Sequence, residues 1–216
     1  MTVRDDQDDI QTRIVRAADT IIRDGGAAKL TMRRLAEEAG VALKTPYNIY
    51  GSKTGVMIAV LNDAVAPLVA GLGHESDGFV VTDLLAILES TKTVFGQHEA
   101  YFRELFWAVM TSDHPEARAV AHGRITQIVI DRVAAAKKAG ELGEHVVPDA
   151  LGGQLGLNLL ANMGSWAGGH LTIAEAMDHT KAVWVSLLLV VARADVRLEL
   201  SQQLVSIQAV LGSPTS

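Results

Sequence analysis

With 216 residues, 49% of them hydrophobic, the chain is long enough for a small domain beside a larger one with a sizeable core. The absence of cysteine excludes disulfide staples and thiolate-bound zinc, which suits a cytoplasmic location. The net charge of −6 argues against a protein that coats nucleic acid, but Ile10 to Val56 holds eight basic residues against four acidic, a head of +4 on a body of −10 that offers phosphate a single face.

The first nine residues, with Asp5, Asp6, Asp8 and Asp9, form an acidic arm and no signal peptide. The longest apolar run, Leu187 to Ala192, is far below the roughly 20 residues of a membrane span, so no membrane partner is expected. A first helix is predicted from about Ile10, with Ile14, Ala17, Ala18, Ile21 and Ile22 on one face, stopping at Gly25-Gly26.

Thr31 then suits an N-cap, and Met32, Leu35, Ala36 and Ala39 follow at helical spacing, with Arg33, Arg34, Glu37 and Glu38 on the other positions. Gly40 ends this short helix, and Val41 buries the corner. A second short helix from about Ala42 carries Lys44, Thr45, Tyr47 and Asn48, side chains that donate hydrogen bonds to phosphates and base edges. The next helix runs from Ser52 to about Leu72, with Pro67 near its end, and a Gly-rich charged spacer spans Gly71 to Gly78.

The run T-x-R-x-L-A-x-x-A-G-V from Thr31, followed by Y-x-x-Y-x-S-K from Tyr47, resembles the DNA-binding domain of the TetR family of transcriptional regulators, over Ile14 to about Leu61. The resemblance implies a helix-turn-helix domain over residues 10–56 and a helical ligand-binding and dimerisation domain over 57–216. It makes Ala42 to Asn48 the recognition helix, Tyr47 and Lys53 phosphate contacts, and Thr31 and Arg33 backbone contacts. Two positions depart from the family pattern: Tyr50 replaces the usual Phe and keeps the aromatic plug, while Pro46 replaces a Leu inside the recognition helix. Pro46 falls in the first turn, where a missing N–H costs little.

From Phe79 the pattern is helical with short breaks, predicting helices over about Val80 to Phe95, His98 to Thr111, Pro115 to Lys138, Asp149 to Trp166, Thr172 to Ala194 and Leu198 to Val210. No strand alternation persists, so the fold is read as all-α. The helix from Thr172 is apolar on several faces, Met177, Trp184 and Leu188 sharing one stripe, and the helix before it carries Gly152 and Gly156. These five residues are the candidate dimer interface, since similar regulators dimerise through their last two major helices; the same pattern also fits a monomer core.

No P-loop, GxSxG or dinucleotide motif is present, and the seven histidines are scattered rather than spaced as metal ligands, so no catalytic residue, metal or cofactor is assigned. Apolar walls with sparse polar groups describe a small-molecule cavity as well as they describe a core or an interface: Phe102, Phe106, Trp107 and Met110 on one helix, His122 and Ile125 on the next, and Asn158, Asn162 and Trp166 beyond. The expected function is a repressor that binds a pseudo-palindromic double-stranded operator as a homodimer and is released by a small, largely apolar effector. A regulator without an effector, governed by a protein partner or by none, is the first rival. An enzyme or carrier is the second.

Overall fold

The structure, a computed structural model, describes residues 3–70, 78–113 and 115–212. Among them are ten α-helices: α1 (Val3–Gly25), α2 (Met32–Glu38), α3 (Lys44–Tyr50), α4 (Lys53–Ala70), α5 (Val80–Gln97), α6 (Glu99–Met110), α7 (Pro115–Lys138), α8 (Pro148–Ala167), α9 (Ile173–Val191) and α10 (Ala194–Leu211), with a 3-10 turn at Ala27–Lys29. The chain is all-α; one isolated antiparallel bridge, Leu142 with Ala192, is its extended pairing among the described residues. Two compact units form, Met1–Pro67 with His98–Ala121 and Leu68–Gln97 with His122–Ser216.

The first unit is built on the apolar face of α1. Ile14, Ala17, Ala18, Ile21 and Ile22 are all buried, together with Leu30, Met32, Leu35 and Ala36 around α2 and Val56, Val60 and Leu61 on α4. Each fully buried Ile or Leu contributes about 1.5–3 kcal/mol relative to exposure, so this cluster holds the short helices α2 and α3, which are too brief to persist alone. The first helix begins at Val3 rather than Ile10, and α4 ends at Ala70 rather than Leu72. The spacer expected from Gly71 lies, up to residue 77, outside the described residues.

Helix α6 packs in this same unit. Tyr101 donates to Asp19 Oδ1 at 2.5 Å, the Arg23 guanidinium lies 4.3 Å from the Tyr101 ring centroid, and Arg23 Nε meets Asp19 Oδ2 at 2.8 Å. The Ala27 N–H donates to Glu104 Oε1 at 2.8 Å. Beyond the other end of α6, the hydroxyls of Ser112 and Thr54 are hydrogen-bonded at 2.8 Å.

In the second unit α9 is the central helix, flanked by α5, α8 and α10. Its N-terminus is closed by a capping box in which Thr172 Oγ1 accepts from the Glu175 N–H while the Glu175 carboxylate accepts from the Thr172 N–H. The Trp184 indole donates to the Leu155 carbonyl at 3.0 Å, and Trp166 meets Phe95 edge-on at 5.6 Å between centroids.

The five candidate interface residues belong to this core, which corrects the sequence reading. Met177, Trp184 and Leu188 have 1%, 0% and 0% exposure within the single chain, leaving a partner nothing to touch. Gly152 and Gly156 bring α8 against α7: a Cβ on Gly152 would stand 2.6 Å from Ile130 Cα, and one on Gly156 would stand 3.0 Å from Thr126 Cα. The glycines thus serve a close helix crossing inside the chain rather than between two chains. The outward faces of α8 and α9 carry Leu157, Val183, Leu187 and Val190, all exposed.

Two predicted breaks also move. Gly96 lies within α5, which continues to Gln97. The helix from Thr172 stops at Val191 and α10 begins at Ala194, earlier than Leu198. The chain turns there because its backbone is paired sideways: Gly143 N–H donates to Val191 O at 2.9 Å and Arg193 N–H to Glu141 O at 2.8 Å. The side chain of Glu141, buried, accepts from the N–H groups of Val80 at 2.7 Å and Val81 at 2.9 Å. A distant carboxylate therefore caps α5, satisfying donors that a helix cannot satisfy itself.

Candidate nucleic-acid interface

The reading head is set by the turn between α2 and α3. Thr31 Oγ1 accepts from the Arg34 N–H at 3.2 Å and caps α2, as its position predicts, while its hydroxyl proton remains available to an outside acceptor. Gly40 adopts φ 63°, the left-handed conformation that closes the helix, and Val41 N–H returns to Ala36 O at 3.0 Å. Arg13 reaches over from α1 and donates through Nη2 to Ala39 O at 2.6 Å and Gly40 O at 3.0 Å. It therefore fixes the corner from which α3 departs. Nothing in the local spacing marks Arg13 for this role, because its partners lie 26 and 27 residues away.

Helix α3 runs over Lys44–Tyr50 rather than Ala42 to Asn48, two residues later at each end. Pro46 is its third residue and is buried, so the ring fills the apolar side of the first turn, where a missing N–H leaves no hydrogen bond unmade. Tyr50 is partly buried, and its hydroxyl donates to Gln11 O at 3.4 Å. Burial raises its pKa above the ordinary phenol value. It braces α3 against α1, the structural role its aromatic type implies.

The opposite side of α3 faces out. Lys44, Tyr47 and Asn48 are exposed, with Thr45 partly so. Leu43, at the N-cap position, is also exposed and makes no side-chain capping bond. The sequence reading did not single it out. On α2, Arg33 is exposed and pairs with Glu37 at 3.1 Å. Such exposed i,i+4 pairs contribute only about 0.3–0.5 kcal/mol, so the guanidinium is readily surrendered to a phosphate. Lys53, partly buried, opens α4, whose first-turn N–H groups favour an anion beside it.

The candidate effector residues divide between the units. Phe102 and Phe106 are buried in the first unit with Met110 partly exposed, and Trp107 is 48% exposed. In the second unit His122 and Ile125 are partly buried and Trp166 is fully buried. Asn162 Nδ2 donates to Thr180 Oγ1 at 3.0 Å, whereas Asn158 Oδ1 is buried with no hydrogen-bond partner among the described residues. A separate groove of about 550 Å³ between α5, α9 and α10 has Leu85 and Ile207 as apolar walls, with Lys92 paired to Asp178 and Lys181 to Glu89. None of the candidate effector residues lines it. Among the described residues no group of three or more His, Asp or Glu is placed to hold a metal, and no helix is long and apolar enough to cross a membrane.

Residues 14–60 match the family of bacterial regulatory proteins, tetR family. No curated protein matches the chain. Among solved structures, a TetR transcriptional regulator from Rhodococcus sp. RHA1 is 20% identical, with 86% of this chain and 98% of that one covered at a TM-score of 0.67. Thermus thermophilus FadR, a TetR family transcriptional repressor solved in complex with lauroyl-CoA, is 18% identical over 81% of this chain and 93% of that one, at 0.66. SmeT, the repressor of the Stenotrophomonas maltophilia multidrug efflux pump SmeDEF, is 16% identical over 85% and 90%, at 0.60. Residues 14–60 thus match the tetR family of bacterial regulatory proteins in sequence, and the helical whole has the fold of the solved TetR-family regulators.

Proposed function

We propose that this regulator is a repressor that grips a two-half-site operator as a homodimer, with α3 in the major groove of each half-site, and lets go when a small molecule binds the second unit. The observation that carries the reading is the outward face of α3, where Lys44, Tyr47 and Asn48 are exposed on a helix whose Pro46 side is buried. Thr31, Arg33 and Lys53 flank it with donors suited to phosphate. Base readout then belongs to Lys44, Thr45 and Asn48.

Two half-sites are served because the exposed apolar residues Leu157, Val183, Leu187 and Val190 give α8 and α9 an outward face that a second copy would cover. The four are spread along two neighbouring helices, as a self-complementary helical interface requires. For the effector, Asn158 Oδ1 offers a buried acceptor without a donor among the described residues, and the contacts of Gly152 with Ile130 and of Gly156 with Thr126 run α8 antiparallel to α7, which brings the turn of His122 and Ile125 toward the Asn158 end of that crossing. A largely apolar molecule with one donor group fits that chemistry. The FadR of Thermus thermophilus, a protein of this fold, is complexed with a molecule carrying an apolar acyl chain.

The test is selection of bound duplexes from genomic fragments, followed by titration of the enriched duplex in rising salt. A regulator of this kind enriches a paired sequence, and its affinity falls steeply with salt. Catalytic turnover or ligand transport without any enriched duplex would favour the enzyme or carrier reading.

A further inference from the structure

Within residues 10–67 only two large hydrophobic side chains are exposed among the described residues, Leu43 at 50% and Tyr47 at 49%. They lie one turn apart, about 40° from each other around α3 at roughly 100° per residue, with Lys44 and Asn48 completing the same exposed face. Tyr47 has a hydroxyl with which to hold a phosphate. Leu43 has nothing polar, and at an N-cap position where Ser, Thr, Asp or Asn would serve the helix, it makes no capping bond. It also lies outside the core of the first unit. Neither the helix nor the core accounts for a leucine here.

We propose that Leu43 reads sequence directly, by packing its isobutyl group on the C5-methyl of a thymine in the major groove, so that each operator half-site prefers T·A at one position. The inference rests on α3 being the groove-reading helix. The chemistry selects thymine because, of the four bases, only it presents a methyl in the major groove, while the others offer donors or acceptors that a leucine would strip of water without replacing. Lys44 and Asn48, on the same face, supply the hydrogen bonds that neighbouring base pairs demand. An apolar contact set among polar ones is how such a face tells T·A from C·G at a position where both pairs accept a similar outline.

The experiment replaces each thymine of the selected operator in turn by deoxyuracil, which removes the methyl and leaves every hydrogen-bonding edge intact, and measures affinity by fluorescence anisotropy. One position per half-site should weaken the parent about fourfold, the worth of one buried carbon, and about sixteenfold when both half-sites are changed. Leu43→Ala should be indifferent to the same replacement, and Leu43→Met, which keeps an apolar chain, should remain sensitive. Because Leu43 is exposed, Leu43→Ala should unfold at the parent's temperature, which separates a reading role from a folding one. The proposal is overturned if no deoxyuracil position affects the parent, or if Leu43→Ala loses as much as the parent there. Loss of the effect in Tyr47→Ala alone would assign the methyl to Tyr47 and overturn it too. If the parent enriches no duplex at all, the reading of α3 fails first and this inference falls with it.

Discussion

The phenol of Tyr101 on α6 donates to the Asp19 carboxylate on α1 at 2.5 Å, across 82 residues of sequence, while Arg23 holds the other carboxylate oxygen and covers the ring. Burial raises the Tyr101 pKa well above the ordinary phenol value of 10.0, and the hydrogen bond and negative charge of Asp19 raise it further. The folded state thus holds this proton more tightly than the unfolded chain. Its stabilisation is complete below pH 10 and is lost as pH rises through and beyond the unfolded value. Thermal unfolding followed from pH 8 to pH 11 should show an alkaline decline that is shallower in Tyr101→Phe, in which Tyr50, raised by burial, still contributes. At neutral pH the same variant should be less stable by about 1–2 kcal/mol, the worth of a hydrogen bond to a charged group that is not fully buried.

Gly152 and Gly153 form a matched pair for testing the α7–α8 crossing. A Cβ on Gly152 would stand 2.6 Å from the Ile130 backbone, whereas one on Gly153 meets nothing within 4 Å. Gly152→Ala should therefore destabilise by about 1–3 kcal/mol, as overpacking does, and Gly153→Ala should stabilise by about 0.5–1 kcal/mol through helix propensity. Urea unfolding of both variants checks the contrast. Equal effects would mean the helices do not cross at Gly152.

Assembly separates the buried stripe of α9 from its exposed one. Leu187→Glu should leave the fold intact and give monomers with little operator affinity, since a monomer forfeits the second half-site about 34–36 Å away. Trp184→Glu should instead fail to fold, because it places an unpaired charge where exposure is 0%. Sedimentation with circular dichroism distinguishes the two. A folded, dimeric Leu187→Glu would remove α9 from the interface.

Lys53→Ala should weaken operator and random duplex alike, and should reduce the salt slope of binding by about one unit, the signature of a lost phosphate contact. An unchanged affinity for random duplex would exclude that contact.

The head was legible because its rules are local. Thr31 caps three residues ahead, Gly40 needs a positive φ in its own turn, and the Ile14 to Ile22 stripe needs only helical spacing. The turn clamp of Arg13 and the capping of α5 by Glu141 were not legible, since their partners lie 26 and 61 residues away and no periodicity encodes them. The interface was misread for a related reason. A helix apolar on most faces, as α9 is, does not declare which stripe its own chain will cover, and Gly152 and Gly156 permit close approach of any helix, here α7. The candidate effector residues come from helices of both units, Phe102 and Phe106 in the first and Asn158 and Asn162 in the second, a division that helical periodicity does not encode.

The central claim is that α3 reads a paired operator, and binding-site selection from a random duplex library, run in parallel on the parent and on Lys44→Ala, tests it most directly. The account predicts that the parent enriches an inverted repeat with half-site centres about one helical turn, or a multiple of it, apart, and that Lys44→Ala loses preference at one base pair of each half-site by about 1–3 kcal/mol while keeping the rest. Identical preferences in the two proteins, or enrichment of no repeat by the parent, would contradict it.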